Sequence, residues 1–129
     1  MLRMNKVKEL KVLVADDNER FRKIIGQFLA MQKEIKSVQE AIDGIDAVNK
    51  VKSFDPDLLL MDVQMPNMNG FDAFQEIKKE TSIPVIFISI FDSNGFKTKS
   101  QELGADAYIE KKNIVENLLP AIRDIFPDL

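Results

Sequence analysis

The chain holds 129 residues, of which 45% are apolar and 30% charged. That length and balance fit one globular domain with a real core and exclude a disordered chain. A formal net charge of −3 argues against nucleic acid as a direct ligand, and the lack of any cysteine or histidine excludes disulfides, thiolate zinc sites, imidazole bases and Ser-His-Asp triads. Any metal must therefore sit on oxygen donors, which favours Mg²⁺, Mn²⁺ or Ca²⁺. No run approaches the ~18 apolar residues of a membrane span. The start, Met1 to Lys11, is polar and mildly basic and lacks an apolar core segment. The expectation is a single cytoplasmic domain over residues 1–129, with residues 1–10 as a lead-in and no membrane contact.

In chain order, the first apolar run is Val12-Leu13-Val14-Ala15. Phe21, Ile24, Ile25, Phe28 and Leu29 follow at the spacing of one helix face, with Arg20, Arg22 and Lys23 expected off that face. A weaker strand is expected over Ile35–Gln39, then a short helix carrying Ala47, Val48 and Val51. Leu58-Leu59-Leu60-Met61 is the second unbroken run. After a turn at Pro66–Gly70, Phe71, Phe74 and Ile77 mark a helix, and Val85-Ile86-Phe87-Ile88 is the third run. Phe96–Leu103 is weakly amphipathic and stops at Gly104; a strand is expected over Ala107–Ile109. Ile114, Leu118, Ala121, Ile122 and Ile125 form the last helix, with Asn113 expected to cap it. Short unbroken apolar runs read as parallel strands buried on both faces. The alternation with helices predicts an α/β, doubly wound (βα)5 flavodoxin-like sandwich with a parallel five-stranded sheet in the order 2-1-3-4-5.

In such a sheet, ligands bind outside the carboxyl ends of the strands. There the topology would gather Asp16 and Asp17 after the first strand, Asp62 after the third, Ser89 after the fourth and Lys111 after the fifth. Two carboxylates about 4 Å apart repel by roughly 4 kcal/mol at an effective dielectric near 20. Three together call for a cation, and Mg²⁺ suits them because it keeps waters and phosphate oxygens among its ligands. An ammonium and a hydroxyl aimed at the same point equip the cluster for phosphoryl transfer onto one of its own carboxylates.

The stretches VLVADDNERFR (12–22), LLLMDVQMPNMNGFDAF (58–74), PVIFIS (84–89) and GADAYIEK (104–111) resemble the receiver domain of bacterial two-component response regulators (the CheY-like family) nearly end to end. The most specific part is Asp62-x-x-Met65-Pro66-x-Met68-x-Gly70. The resemblance implies that Asp62 is the phosphoacceptor. It implies that Asp17, Asp62 and the main-chain carbonyl of Gln64 bind Mg²⁺ or Mn²⁺ directly, and Asp16 through water. Ser89 would hydrogen-bond the phosphoryl group and Lys111 would pair with it. Ser89 and Tyr108 would form the switch. The donor would be a phosphohistidine on a sensor histidine kinase or histidine phosphotransfer protein. The face of the fourth helix, fifth strand and fifth helix would control a downstream protein target or C-terminal output domain, and a phosphorylation-dependent homodimer is a further expected partner. Such a domain is not a conventional enzyme: it catalyses its own phosphorylation and its slow autodephosphorylation.

Two positions depart from the family pattern. Ile90 stands where a small residue is usual and Phe91 where polar residues are frequent; both are expected to modulate access to Asp62. The alternative reading is a pseudo-receiver, an interaction module of the same fold that is never phosphorylated. A dehalogenase-type hydrolase lacks its Asp-x-Asp motif here, and a P-loop hydrolase lacks G-x-x-x-x-G-K-[ST]. A flavodoxin's phosphate loop is replaced by Asp16-Asp17-Asn18-Glu19, which would repel FMN.

Overall fold

The computed structural model describes residues 9–90 and 94–129. Its elements alternate: β1 (Leu10–Ala15), α1 (Glu19–Ala30), β2 (Ile35–Ala41), α2 (Gly44–Phe54), β3 (Leu58–Asp62), α3 (Gly70–Lys78), β4 (Val85–Ser89), α4 (Asn94–Leu103), β5 (Ala107–Glu110) and α5 (Ile114–Ile125). The strands pair in parallel in the order β2-β1-β3-β4-β5. The expected fold is therefore the observed one. The strands outrun their apolar runs, with β1 starting at Leu10 and β3 and β4 ending on the polar residues Asp62 and Ser89.

Strand alternation divides the core into two layers. Leu13, Ala15, Leu59, Met61, Val85 and Phe87 face α2 and α3, where Ala47, Val51, Phe71, Phe74 and Ile77 complete the cluster. Val12, Val14, Leu58, Leu60, Ile86 and Ile88 face the other way, against Ile25 and Leu29 of α1 and Leu118 and Ile122 of α5. An unbroken apolar strand is thus required, because each residue in turn serves a different layer.

The face of α1 is rotated from its sequence expectation. Ile24 is 50% exposed, whereas Arg22 is buried beside Ile25 and Leu29. At 100° per residue, positions 22, 25 and 29 fall within about 60° of one another, while 24 lies about 100° or more from each of them. Asn113 occupies the N-cap position of α5 as expected, but its side chain makes no capping hydrogen bond. A 3-10 turn over Lys111–Asn113 leads into α5, and the Ile114 N–H bonds to Lys111 O within that turn. At the N-termini of α1, α2 and α3 the polar residue caps: Asn18, Asp43 and Asn69 accept from the third amide of each helix. Gly104 stops α4 with a φ of +89°, a left-handed value that favours glycine.

Candidate functional site

Register brings the site together. Ala15 pairs with Met61 and Asp62 with Ile88, so Asp16, Asp62 and Ser89 stand at the ends of three adjacent strands, β1, β3 and β4. Lys111 follows β5 directly. A carboxylate oxygen from each of Asp16, Asp17 and Asp62 lies within 4.8 Å of the others. Lys111 Nζ reaches across the sheet edge to Asp16 Oδ2 at 2.6 Å and Asp62 Oδ2 at 3.3 Å. Its ammonium also lies 4.3 Å from the centre of the Phe21 ring, a cation–π contact from α1.

The electrostatics follow from burial. Asp62 is 7% exposed. Burial first, and the charge of Asp16 second, push its carboxyl up to about 6, against the pull of Lys111 and of the Gln64 N–H that bonds Asp62 Oδ1. Burial opposes the charge on Lys111, but hydrogen bonds and charges from Asp16 and Asp62 outweigh it and hold the ammonium's pKa above its ordinary value. Three carboxylates thus face one ammonium, and the strain falls on Asp62.

Asp17, Asn18, Asp62, Gln64, Met65, Pro66, Ile90 and Lys111 line an open cleft of about 520 Å³. The oxygen-only donor set and surplus negative charge fit a hard divalent ion such as Mg²⁺, and exposed Asp17 leaves room for its waters. Ile90 is 67% exposed at the cleft wall. Ser89 is buried at the end of β4 and is not part of the lining. Tyr108 is half-buried on β5, opposite Phe87 in register and packed on the α3 side of the sheet, away from the cleft. Phe91 lies outside the described residues.

The β3–α3 loop that carries Met65 and Pro66 is held from two sides. A Cβ at position 70 would sit 2.2 Å from the Asp62 carbonyl oxygen, so only glycine lets α3 start this close to the acidic residue. From the other side, Asp43 caps α2 and accepts 2.7 Å hydrogen bonds from Asp46 N and Asn67 Nδ2, which hold its carboxyl below the usual range. Sequence reading missed this buttress, and it missed Arg22. The Arg22 guanidinium donates to the Asp16 carbonyl at 2.8 Å and to Glu40 Oε1 at 2.9 Å. Asp43 and Asn67 lie 24 residues apart and Arg22 and Glu40 lie 18 apart, so no local pattern announces either pair.

Residues 12–123 match the model of the response regulator receiver domain. The chain belongs to that family. This receiver is 31% identical over 116 residues to the transcriptional regulatory protein DegU of Brevibacillus brevis, covering 89% of the chain and 49% of that protein. It is 35% identical over 118 residues to the response regulator protein VraR of Staphylococcus epidermidis, covering 91% and 56%. It is 39% identical over 106 residues to a protein-glutamate methylesterase/protein-glutamine glutaminase of Pyrococcus horikoshii, covering 81% and 29%. The chain thus spans between about a third and about half of the length of these curated relatives. Among solved structures, the response regulator domain of Thermotoga maritima CheB superposes with a TM-score of 0.84 at 30% identity, covering 91% of this chain and 96% of that one. Two-component receivers of this family typically use magnesium and an aspartyl phosphate. Among the described residues no helix of the receiver is long and apolar enough to cross a membrane.

Proposed function

We propose that residues 1–129 act as one phosphorylation-switched receiver, with Asp62 as the phosphoacceptor. The observation that carries this is the convergence of three carboxylates within 4.8 Å on one ammonium, 2.6 Å from Asp16 and 3.3 Å from Asp62. The donor is the phosphohistidine of a sensor histidine kinase or histidine phosphotransfer protein. An Asp62 carboxylate oxygen attacks phosphorus, the P–N bond breaks, and the imidazole leaves with that electron pair.

Asp17, Asp62 and the Gln64 main-chain carbonyl would hold Mg²⁺ or Mn²⁺ directly and Asp16 would do so through water; the ion would supply charge neutralisation for the phosphoryl oxygens. Lys111 exchanges its carboxylate partner on Asp62 for a phosphoryl oxygen and donates to it. Ser89, at the end of the adjacent strand, donates to another. Movement of Ser89 vacates space beside β5 into which Tyr108 turns, and the α4–β5–α5 face shifts population toward its active form. That face then engages a downstream protein, an output domain continuing the chain as in the longer relatives, or a second copy of the receiver. Ile90 at the cleft wall, with Phe91 beside it in sequence, limits water access to the acyl phosphate, so the receiver's own hydrolysis is slow. The domain works in the cytoplasm, where its kinase's phosphohistidine is found.

Incubation with acetyl phosphate and Mg²⁺, read by intact mass, tests the reading. We expect a gain of one phosphoryl group that needs the metal and is absent from Asp62→Ala. In the same assay Ile90→Asn should shorten the lifetime of the adduct severalfold. Equal labelling of Asp62→Ala would remove Asp62 from its role. A wild-type chain that neither gains mass nor binds Mg²⁺ would instead be an unphosphorylated interaction module.

A further inference from the structure

Asp16 is held by hydrogen bonds at three polar atoms and by an ion pair at the fourth. Its N–H donates to the Ala41 carbonyl of β2 at 3.0 Å. Oδ1 accepts the Asn18 amide at 2.9 Å and Oδ2 meets Lys111 Nζ at 2.6 Å. Its carbonyl accepts Arg22 Nη1 at 2.8 Å. Asp17, the next residue, is the opposite case. It is exposed, and its carboxylate makes no hydrogen bond or ion pair with any described residue. The placement of Asp17 therefore depends on the two peptide planes that flank it: Asp16 Oδ1 holds the Asn18 amide on one side, and Arg22 holds the Asp16–Asp17 plane from the carbonyl side on the other.

Arg22 is itself fixed. It is buried, and its Nε bonds Glu40 Oε1 at 2.9 Å, while Glu40 also takes Lys23 Nζ at 3.0 Å. Lys50 Nζ binds the Glu40 carbonyl at 2.6 Å. A buried arginine is costly to desolvate unless its donors are used, and this one spends them on the strand end of β2 and on the main chain of the acidic pair. A planar fork joins two acceptors in one rigid geometry, which lysine does not do.

We infer that Arg22 is a positioning residue for the cation site: by clamping the Asp16 carbonyl to Glu40 it orients the Asp16–Asp17 peptide so that the unsupported Asp17 carboxylate meets a divalent ion beside Asp62. The inference rests on the metal-binding reading above, and concerns a residue that touches neither the metal nor the phosphoryl group.

Charge and geometry predict opposite signs, which makes the test clean. Removing a cation near an acidic site should tighten binding of a divalent ion if only charge mattered. Loss of the clamp should weaken it, since a lost supporting hydrogen bond typically costs about 10–100-fold in metal affinity. The probe is Mn²⁺ alone, followed by loss of the free-ion EPR signal, with thermal melting of the same metal-free samples. The variants are Arg22→Met, Arg22→Lys and Arg123→Met. The last removes an arginine–carboxylate pair whose guanidinium is exposed, Arg123 Nη2 to Glu34 Oε2 at 2.9 Å, at the other end of β2.

We expect Arg22→Met to bind Mn²⁺ about tenfold more weakly. Arg22→Lys should fall between it and wild type, and Arg123→Met should keep wild-type affinity even where its melting point drops. Wild-type or tighter affinity in Arg22→Met overturns the inference and leaves the metal-binding reading intact. If Arg22→Met does not fold, Arg22→Lys decides, and wild-type affinity there overturns the inference. No Mn²⁺ uptake by wild type at millimolar metal overturns the metal-binding reading itself, and the inference with it.

Discussion

Asp62 is held in a state that disfavours its own charge. Its native carboxyl titrates near 6 against 3.8 for an unperturbed aspartate. Between about pH 4 and 6 the native state binds more protons than the unfolded chain, so the metal-free protein loses stability as pH rises through that window. The full effect is present above pH 6 and is at most about 3 kcal/mol, taking 1.36 kcal/mol per pKa unit. Asp62→Asn should therefore raise the metal-free melting temperature by several degrees at pH 7.5, and the gain should vanish near pH 4. A variant that melts below wild type at pH 7.5 would mean that the ion pair with Lys111 outweighs burial and repulsion. The same imbalance is what a divalent ion relieves, so a site strained when empty is a site ready to bind.

At the scale of elements, α4 is the weakest part of the frame. Gly95, Lys97, Thr98, Lys99, Gln101 and Glu102 are exposed along it, and its anchors are Phe96, Ser100 and Leu103. Phe96 meets the Phe71 ring edge-on at 5.8 Å, and Ser100 spends its hydroxyl on the Phe96 carbonyl of its own helix at 2.8 Å. By contrast α3 buries Phe71, Ala73, Phe74 and Ile77, with Phe71 and Phe74 rings 5.1 and 5.4 Å from Phe87. Amide exchange in α4 should accordingly run at least tenfold faster than in α3, because local opening is governed by buried apolar contact. Equal protection in the two helices would mean that α4 opens only with the whole fold, and would remove it as the element the switch moves.

At the scale of the molecule, a ligand that binds only the folded state stabilises all of it. Mg²⁺ at a hundred times its dissociation constant should add about 2.7 kcal/mol, which for a chain of this size is a rise of about 10 °C in the melting temperature. Asp62→Ala should show much less of that rise. An equal rise in the variant would place the ion away from the acidic cluster.

The layered fold was legible because its signal is local. Unbroken apolar runs such as Val12–Ala15 and Val85–Ile88, alternating with stripes at helical spacing, mean a buried parallel sheet whatever lies far away in the chain. Asp16, Asp17, Asp62, Ser89 and Lys111 could be nominated on the same basis, since each stands within two residues of the end of an apolar run or expected strand and parallel strands all end at one edge. Side-chain partners across the sheet were decided only by tertiary structure. Arg22 read as lying off the apolar face because Glu40, one of its two acceptors, comes beside it only when β2 pairs with β1; the other, the Asp16 carbonyl, is close in sequence but carries no side-chain signal. Ile24 read as core because periodicity defines a stripe to within a residue or so, while burial depends on where the sheet meets it. Asn113 read as a cap and does stand at the N-cap position, yet the chain enters α5 through a 3-10 turn in which its side chain makes no capping bond. Local patterns determine which elements form and which way the strands run; the long-range pairings that aim individual charges exist only once the sheet has closed.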